Sequence, residues 1–313
     1  MNDLENRIRK RKKILGKWAR KQGITCYRLY SKDIPEYPLI IDLFEDNAIV
    51  WTYPRTKDDT PELAQAFLDS VKEQVVAGTE FERTNVYIKR HTRQQGHNQE
   101  KHNSWIDVEL KAFEGGLEFE INPIKYVDVG LFLDHRPLRT LVGETSKDKD
   151  VLNLFSYTGA FSMHAAKGGA RSVTTVDLSK NYTEWAMRNM ERNGFEHSKK
   201  YRFVAEDCIT FVHKALDAGR KYDIIICDPP SFSNSKNRHA NEFVVDRDYA
   251  ELLKPMLRLL NDDGVLYFST NSRKFKLDKK LFLQKTKITD ITEQTIPFDF
   301  QGTNIHSCWE FRA

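Results

Sequence analysis

Asp228-Pro229-Pro230-Ser231-Phe232 carries the sharpest chemical signal in this chain of 313 residues. Two consecutive prolines lock the backbone where it leaves an apolar run, so Asp228 and the neighbouring carbonyls are presented rigidly. Phe232 offers an aromatic face on which a planar base, withdrawn from its helix, can stack. Asp228, Pro229, Pro230 and Phe232 are therefore the candidate catalytic residues. A stiffened loop with a core phenylalanine is the bland alternative, and the neighbouring strand ends weigh against it.

Those ends are equally informative. The run Val151–Phe155 delivers Ser156-Tyr157-Thr158-Gly159, and Ser172–Asp177 delivers Asp177-Leu178, with Asp177 18 positions after Gly159. Tyr201–Ala205 leads to Asp207-Cys208. An acid placed like Asp177 accepts hydrogen bonds from ribose hydroxyls. A nicotinamide cofactor shares that requirement, but its pyrophosphate also demands a G-x-G-x-x-G turn, and here the turn holds one glycine. S-adenosylmethionine has no phosphate, so these ends predict it as the cofactor, with Asp207 on the adenine amino group. Each acid alone reads as readily as a turn or a helix cap; the four ends together favour a cofactor site.

Methyl transfer from a sulfonium is an in-line displacement in which positioning supplies much of the rate. It needs no metal, and none is expected: the four cysteines are scattered, and His91, His97 and His102 lack partners at ligand spacing. Carbon methylation of a pyrimidine needs a cysteine nucleophile. The two positions where it would stand read Ser231 and Ser269-Thr270-Asn271. The acceptor is thus a nitrogen. The residues alone allow guanine N7, guanine N2 as an exocyclic amine, or a non-catalytic RNA-binding or ribosome-assembly protein with a relic of the site.

The elements that must position these residues follow from periodicity. Beyond residue 150, apolar runs alternate with helical patterns at Ala160–Lys167, Ser179–Asn193, Ile209–Ala218 and Tyr249–Leu260. The runs Asp223–Cys227 and Val265–Thr270 read as central strands, and Ile288–Thr295 with Ile305–Arg312 as a terminal pair. This predicts an α/β fold, a doubly wound Rossmann-like class I methyltransferase, with an N-terminal α+β domain. The expected divisions are a basic helix over 1–23, an α+β domain over 24–122 and the methyltransferase over 123–313. In the α+β part, Leu39–Leu43, Ala48–Tyr53, Val86–Lys89, Trp105–Phe113 and Leu117–Ile121 read as strands, and Thr60-Pro61 opens a helix.

Charge is localised. Residues 1–22 hold nine Lys/Arg against two acids, residues 23–125 hold 12 against 18, and the remainder 28 against 25. That distribution suits a protein gripping a phosphate backbone at chosen places. Lys10, Lys13 and Lys17 on the first helix are the candidate RNA contacts there. Arg90 and Arg93 adjoin a polar stretch; Arg238 and Arg247 follow Phe232; Arg273, Lys274 and Lys276 follow the next strand. A solvated charged face is the plain alternative for the helix. No apolar run reaches membrane-span length and no export signal is evident, so no membrane partner and a cytoplasmic location are expected.

Asn153–Ala165 (NLFSYTGAFSMHA), Thr174–Trp185 (TTVDLSKNYTEW), Asp228–Lys236 (DPPSFSNSK) and Ile305–Trp309 (IHSCW) resemble the RlmK-type 23S rRNA (guanine-N7) methyltransferases, the C-terminal half of the bifunctional RlmKL. GKWARKQG at 16–23 and LFLDHR at 131–136 match as well, so the likeness covers essentially the whole chain, as a stand-alone version of that half. The resemblance implies 23S rRNA, or a large-subunit precursor, as substrate and N7 of a guanine as acceptor. It implies that 24–122 binds RNA, as in the related cytosine-C5 enzyme RlmI, and that Leu133, Asp134 and Arg136 help close the cofactor pocket. A separate guanine-N2 methyltransferase is an implied partner.

Overall fold

The computed structural model describes residues 3–53, 60–90, 108–233, 243–282 and 286–312, with Phe232 and Ser233 described by their backbone alone. The chain divides into two compact units, Met1–Leu133 and Asp134–Ala313.

In the first unit, helix α1 (Asp3–Gln22) precedes strands β1 (Cys26–Ser31), β2 (Leu39–Phe44) and β3 (Asn47–Thr52). Helix α2 (Pro61–Thr79) then leads to β4 (Val86–Arg90). The four strands form one sheet in chain order, antiparallel except for the parallel β3–β4 pair that α2 connects. Leu4, Ile8, Leu15 and Ala19 of α1 pack with Val71 and Val75 of α2 over the sheet's apolar face. The helices touch at Gly78, where a Cβ would lie 2.7 Å from Ile8 Cγ2. Thr60 caps α2 by accepting from the Leu63 N–H at 3.3 Å, as its Thr-Pro start predicts. A separate hairpin, β5 (Leu110–Glu114) and β6 (Leu117–Ile121), turns at Gly115-Gly116. Its first strand is shorter than the run from Trp105, whose first residues lie outside the described ones.

The second unit opens with α3 (Arg136–Thr145), followed by β7 (Asp150–Leu154), α4 (Ala160–Lys167), β8 (Ser172–Asp177), α5 (Lys180–Arg192), β9 (Tyr201–Ala205), α6 (Cys208–Asp217) and β10 (Tyr222–Cys227). A two-residue ladder joins β11 (Phe232–Ser233) to β12 (Phe243–Val244). Then come α7 (Val245–Arg258), β13 (Leu260–Thr270), β14 (Lys287–Asp290), the one-turn α8 (Thr292–Thr295) and β15 (Ser307–Arg312). The seven-stranded sheet has the order β14-β15-β13-β10-β7-β8-β9, parallel from β13 to β9, with β15 antiparallel between β13 and β14. This is the doubly wound Rossmann-like fold expected. The central strands are buried on both faces, as their unbroken apolar runs require.

Three local readings change. Helix α3 occupies a stretch for which periodicity predicts no element; Pro137 sits in its first turn, and Leu138 and Val142 are buried. The strand expected over Ile288–Thr295 stops at Asp290, whose carboxylate accepts from the Thr292 N–H at 2.9 Å and starts a helical turn instead. The strand β13 begins at Leu260 rather than Val265, with an irregularity in its pairing to β10. Between them, β7 and β10 neighbour each other at the point where strand order reverses, so their carboxyl ends open the crevice in which such sheets bind ligands.

Candidate active site

The turn after β7 is tight. Phe155 and Tyr157 hold left-handed φ values of 54° and 50°, and the Gly159 N–H donates to the Ser156 carbonyl at 2.9 Å. Non-glycine residues in that region cost energy and gather at sites that need a particular presentation. Gly159, at φ 77°, caps α4, and a Cβ there would stand 2.8 Å from Ala186 Cβ on α5. At this turn Gly159 thus lets one helix approach another closely. Thr158 is buried, and its carbonyl accepts from Asn189 at 3.0 Å.

Asp177 ends β8 beneath the same turn. One carboxylate oxygen accepts from the Tyr157 N–H at 2.9 Å and the other from the Ser179 N–H at 2.8 Å. Burial raises its pKa, opposed by those two backbone bonds. The carboxylate is thus pinned by both strand ends, with a second lone pair on each oxygen left for a ligand. Ser156 Oγ is buried and has no hydrogen-bond partner among the described residues. A pinned acid and an orphaned buried hydroxyl on adjacent strand ends fit an adenosine-bearing cofactor. Leu178 is exposed beside them. Asp207 also caps α6, accepting from the Thr210 N–H at 2.9 Å, so the plain role considered for it is present. Cys208 turns its sulfur into the core, accepting from the Phe155 N–H at 3.2 Å; burial pushes its thiol well up. Its side chain supports the turn from behind.

At the end of β10, Asp228 is fixed from two sides. Ser269 Oγ on β13 donates to one oxygen at 2.6 Å, and His135 Nε2 lies 3.3 Å from the other. Burial works against the ionised form, but His135 and the Ser269 hydroxyl outweigh it and hold the carboxyl below the usual range. Pro229 is buried and Pro230 exposed, and Ser231 Oγ donates to Asn271 Oδ1. The two positions where a nucleophilic cysteine would stand are thus hydrogen-bonded to each other. All four cysteines are buried, and burial pushes the thiols of Cys227 and Cys308 well up, so no activated thiol is present. Phe232 lies in β11, paired through its backbone with Val244.

His135 and His306 were absent from the sequence-based site. The first ends the turn Leu133–His135, whose Leu133 is buried; the second immediately precedes β15. Their rings stack at 4.5 Å and 12°. Asp134 Oδ2 lies 3.2 Å from His306 Nδ1 and 3.7 Å from His135 Nε2. Burial would raise the Asp134 pKa, but the two histidines drive it far below the carboxylate range. Asp134, His135 and His306 bring three ligand atoms within 4.8 Å of one another, a metal-capable grouping that spacing in the sequence did not predict. The same atoms are also satisfied by protons in hydrogen bonds. Arg136, beside them, donates to Asp299 at 2.9 Å in a buried pair, so its guanidinium is committed to the fold. The signal that could have found His135 was its place inside the quoted LFLDHR motif, between two residues assigned to the pocket.

The basic residues separate by what they already touch. Lys10, Lys13 and Lys17 on α1, and Arg273, Lys274 and Lys276 after β13, are exposed and have no ion-pair partner among the described residues. Arg90 donates to the neutral Gln65 side chain at 2.9 Å, and Arg247 pairs with Asp248 at 2.6 Å. Arg93 and Arg238 lie outside the described residues. Among the described residues no helix is long and apolar enough to cross a membrane.

Comparison with known proteins adds a consistent set of likenesses. The family described as "S-adenosylmethionine-dependent methyltransferase" matches residues 50–288. Ribosomal RNA large subunit methyltransferase K of Neisseria meningitidis is 41% identical over 98% of this chain and 86% of its own length. Ribosomal RNA large subunit methyltransferase K/L of Shewanella loihica is 42% identical over 97% of this chain, which spans 42% of that relative's length. Among solved structures, a methyltransferase complexed with SAH matches with a TM-score of 0.75 at 24% identity, over 99% of this chain and 81% of that one. A SAM-dependent methyltransferase from Streptococcus mutans matches the fold with a TM-score of 0.74, also at 24% identity.

Proposed function

Because this chain belongs to the S-adenosylmethionine-dependent methyltransferase family, and within it to the ribosomal RNA large subunit methyltransferase K/L group, we propose that it methylates N7 of a guanine in 23S rRNA. S-adenosylmethionine is the cofactor, and when bound it supplies a methyl group made electrophilic by the adjoining sulfonium. Asp177 and Ser156 would hold its ribose and nearby polar groups, Asp207 its adenine, and the turn Tyr157–Gly159 would form the floor. Asp134 and Arg136 would shape the opposite side through their contacts with His306 and Asp299.

The observation that carries the N7 reading is the state of Asp228. Ser269 and His135 keep its carboxyl ionised and weakly basic, so it is a poor acceptor for a proton at neutral pH. An exocyclic amine must shed a proton when methylated. Guanine N7 presents a lone pair and has no proton to lose. There, an immobile anion orients the base and offsets the positive charge that develops on the purine. Phe232 is the residue we assign to stacking on the extruded base.

Mapping N7-methylguanosine by reduction and strand scission, on rRNA from cells with and without the gene, tests this directly. A cleavage site that disappears with the protein is expected. Its replacement by a lost N2-methylguanosine would overturn the assignment. Exposed Arg273 and Lys274 are assigned to phosphate contact. Reversing both to Glu should weaken binding to rRNA fragments and reduce the slope of log affinity against log salt by about 1–2. An unchanged slope would remove them from the interface.

A further inference from the structure

We propose that His135 is a positioning residue for methyl transfer: a hydrogen-bonded strut, braced by the stacked His306 and by Asp134, that fixes the orientation of the Asp228 carboxylate. The inference rests on the reading of Asp228 as the group facing the acceptor base, and extends it to His135 and His306.

The geometry is that of a brace. His135 stands at the N-cap of α3, and Asp228 leaves the end of β10. The imidazole therefore bridges two elements, with Nε2 at 3.3 Å from Asp228 Oδ2. The ring is 6% exposed and walled on two sides, by His306 at 4.5 Å and by Phe161 of α4 at 5.8 Å. It has little room to turn. Ser269 on β13 holds the other oxygen of the same carboxylate, so Asp228 is tied to α3 and β13 at once.

Proton accounting orders the cluster. Thr295 Oγ1 donates to the Thr292 carbonyl at 2.9 Å, which leaves its oxygen to accept from His306 Nε2 at 3.0 Å. His306 Nδ1 lies 3.2 Å from Asp134 Oδ2. Asp134 Oδ2, so anchored, is the second carboxylate beside His135 Nε2. The groups facing His135 are thus Asp134 on its own turn, Asp228 at the end of β10, His306 before β15 and Arg139 of α3. Burial and Arg139 oppose a charge on His135, but the two carboxylates prevail and raise its pKa.

Transfer of labelled methyl groups from S-adenosylmethionine into rRNA is measured for the native chain, His135→Ala and His135→Gln. His135→Ala should lower kcat by roughly 10–100-fold while KM for S-adenosylmethionine moves by less than about threefold. His135→Gln, which restores a neutral donor near the Nε2 position, should recover most of that loss. Full kcat in His135→Ala, or a His135→Gln variant that recovers none of the loss, would overturn the proposal. Label is counted whichever atom receives it, so N2 instead of N7 methylation would refute that assignment and leave these expectations intact.

Discussion

Asp228→Ala should lower kcat for methyl transfer by about 10²–10⁴-fold, while S-adenosylmethionine binding survives. The separation follows from where each group is held. Asp228 is tied to Ser269 on β13 and to His135 before α3. The pinned acid assigned to the ribose, Asp177, hangs from the Tyr157 and Ser179 amides on the other side of β7. Removing the Asp228 carboxylate leaves that anchorage untouched and takes away the anion proposed to face the purine. Label transfer to rRNA, together with calorimetric titration of the cofactor, checks both halves. Full activity in the variant would refute the role. Asp228→Asn is the companion, because it keeps the shape and a hydrogen-bonding group but not the charge. A loss close to that of the alanine variant assigns the effect to charge rather than packing.

Asp177→Ala produces the opposite pattern: the cofactor no longer binds, and everything downstream fails with it. The native protein should gain thermal stability from S-adenosylmethionine, about 2.7 kcal/mol at a hundredfold excess over Kd. The variant should gain almost nothing at the same concentration. The carboxylate has two duties, so the starting stability should fall as well. It satisfies the Tyr157 and Ser179 amides, and the turn it supports holds two non-glycine residues at positive φ. The discriminating measurement is therefore the ligand-induced shift, not the melting temperature itself. A variant that melts earlier yet retains the full shift would show that Asp177 only builds the turn.

Much of the cofactor side was legible because its signals are local. Ser156–Gly159, Asp177 and Asp207 each follow an apolar run and precede a helical pattern, and strand-turn-helix grammar puts such residues at one edge of a parallel sheet. Local grammar also misleads in predictable ways. Asp290 belongs to an apolar run but carries a side chain that accepts from a backbone N–H two residues on, which ends β14 early. Gly159 also makes room for Ala186, 27 positions later on a neighbouring helix, which no local pattern shows. Arg247 reads as a free cation, but its neighbour Asp248 already neutralises it.

The rigid corner at Asp228 was encoded in the chain itself, since two prolines restrict φ wherever they stand and an apolar strand must precede them. So were the alternation of elements and the absence of a cysteine at Ser231 and Asn271. The company Asp228 keeps was decided only by tertiary structure. Asp134 and His306 are 172 positions apart and meet because β15 inserts antiparallel between β13 and β14, returning the residue before it to the switch-point end of the sheet. No periodicity links residues at such separation; only sheet order and burial bring them together. Those same two factors set protonation here, since buried carboxylates beside imidazoles fall in pKa and the imidazole beside them rises. The sequence placed an acid at the reactive corner, and the fold made it an immobile anion.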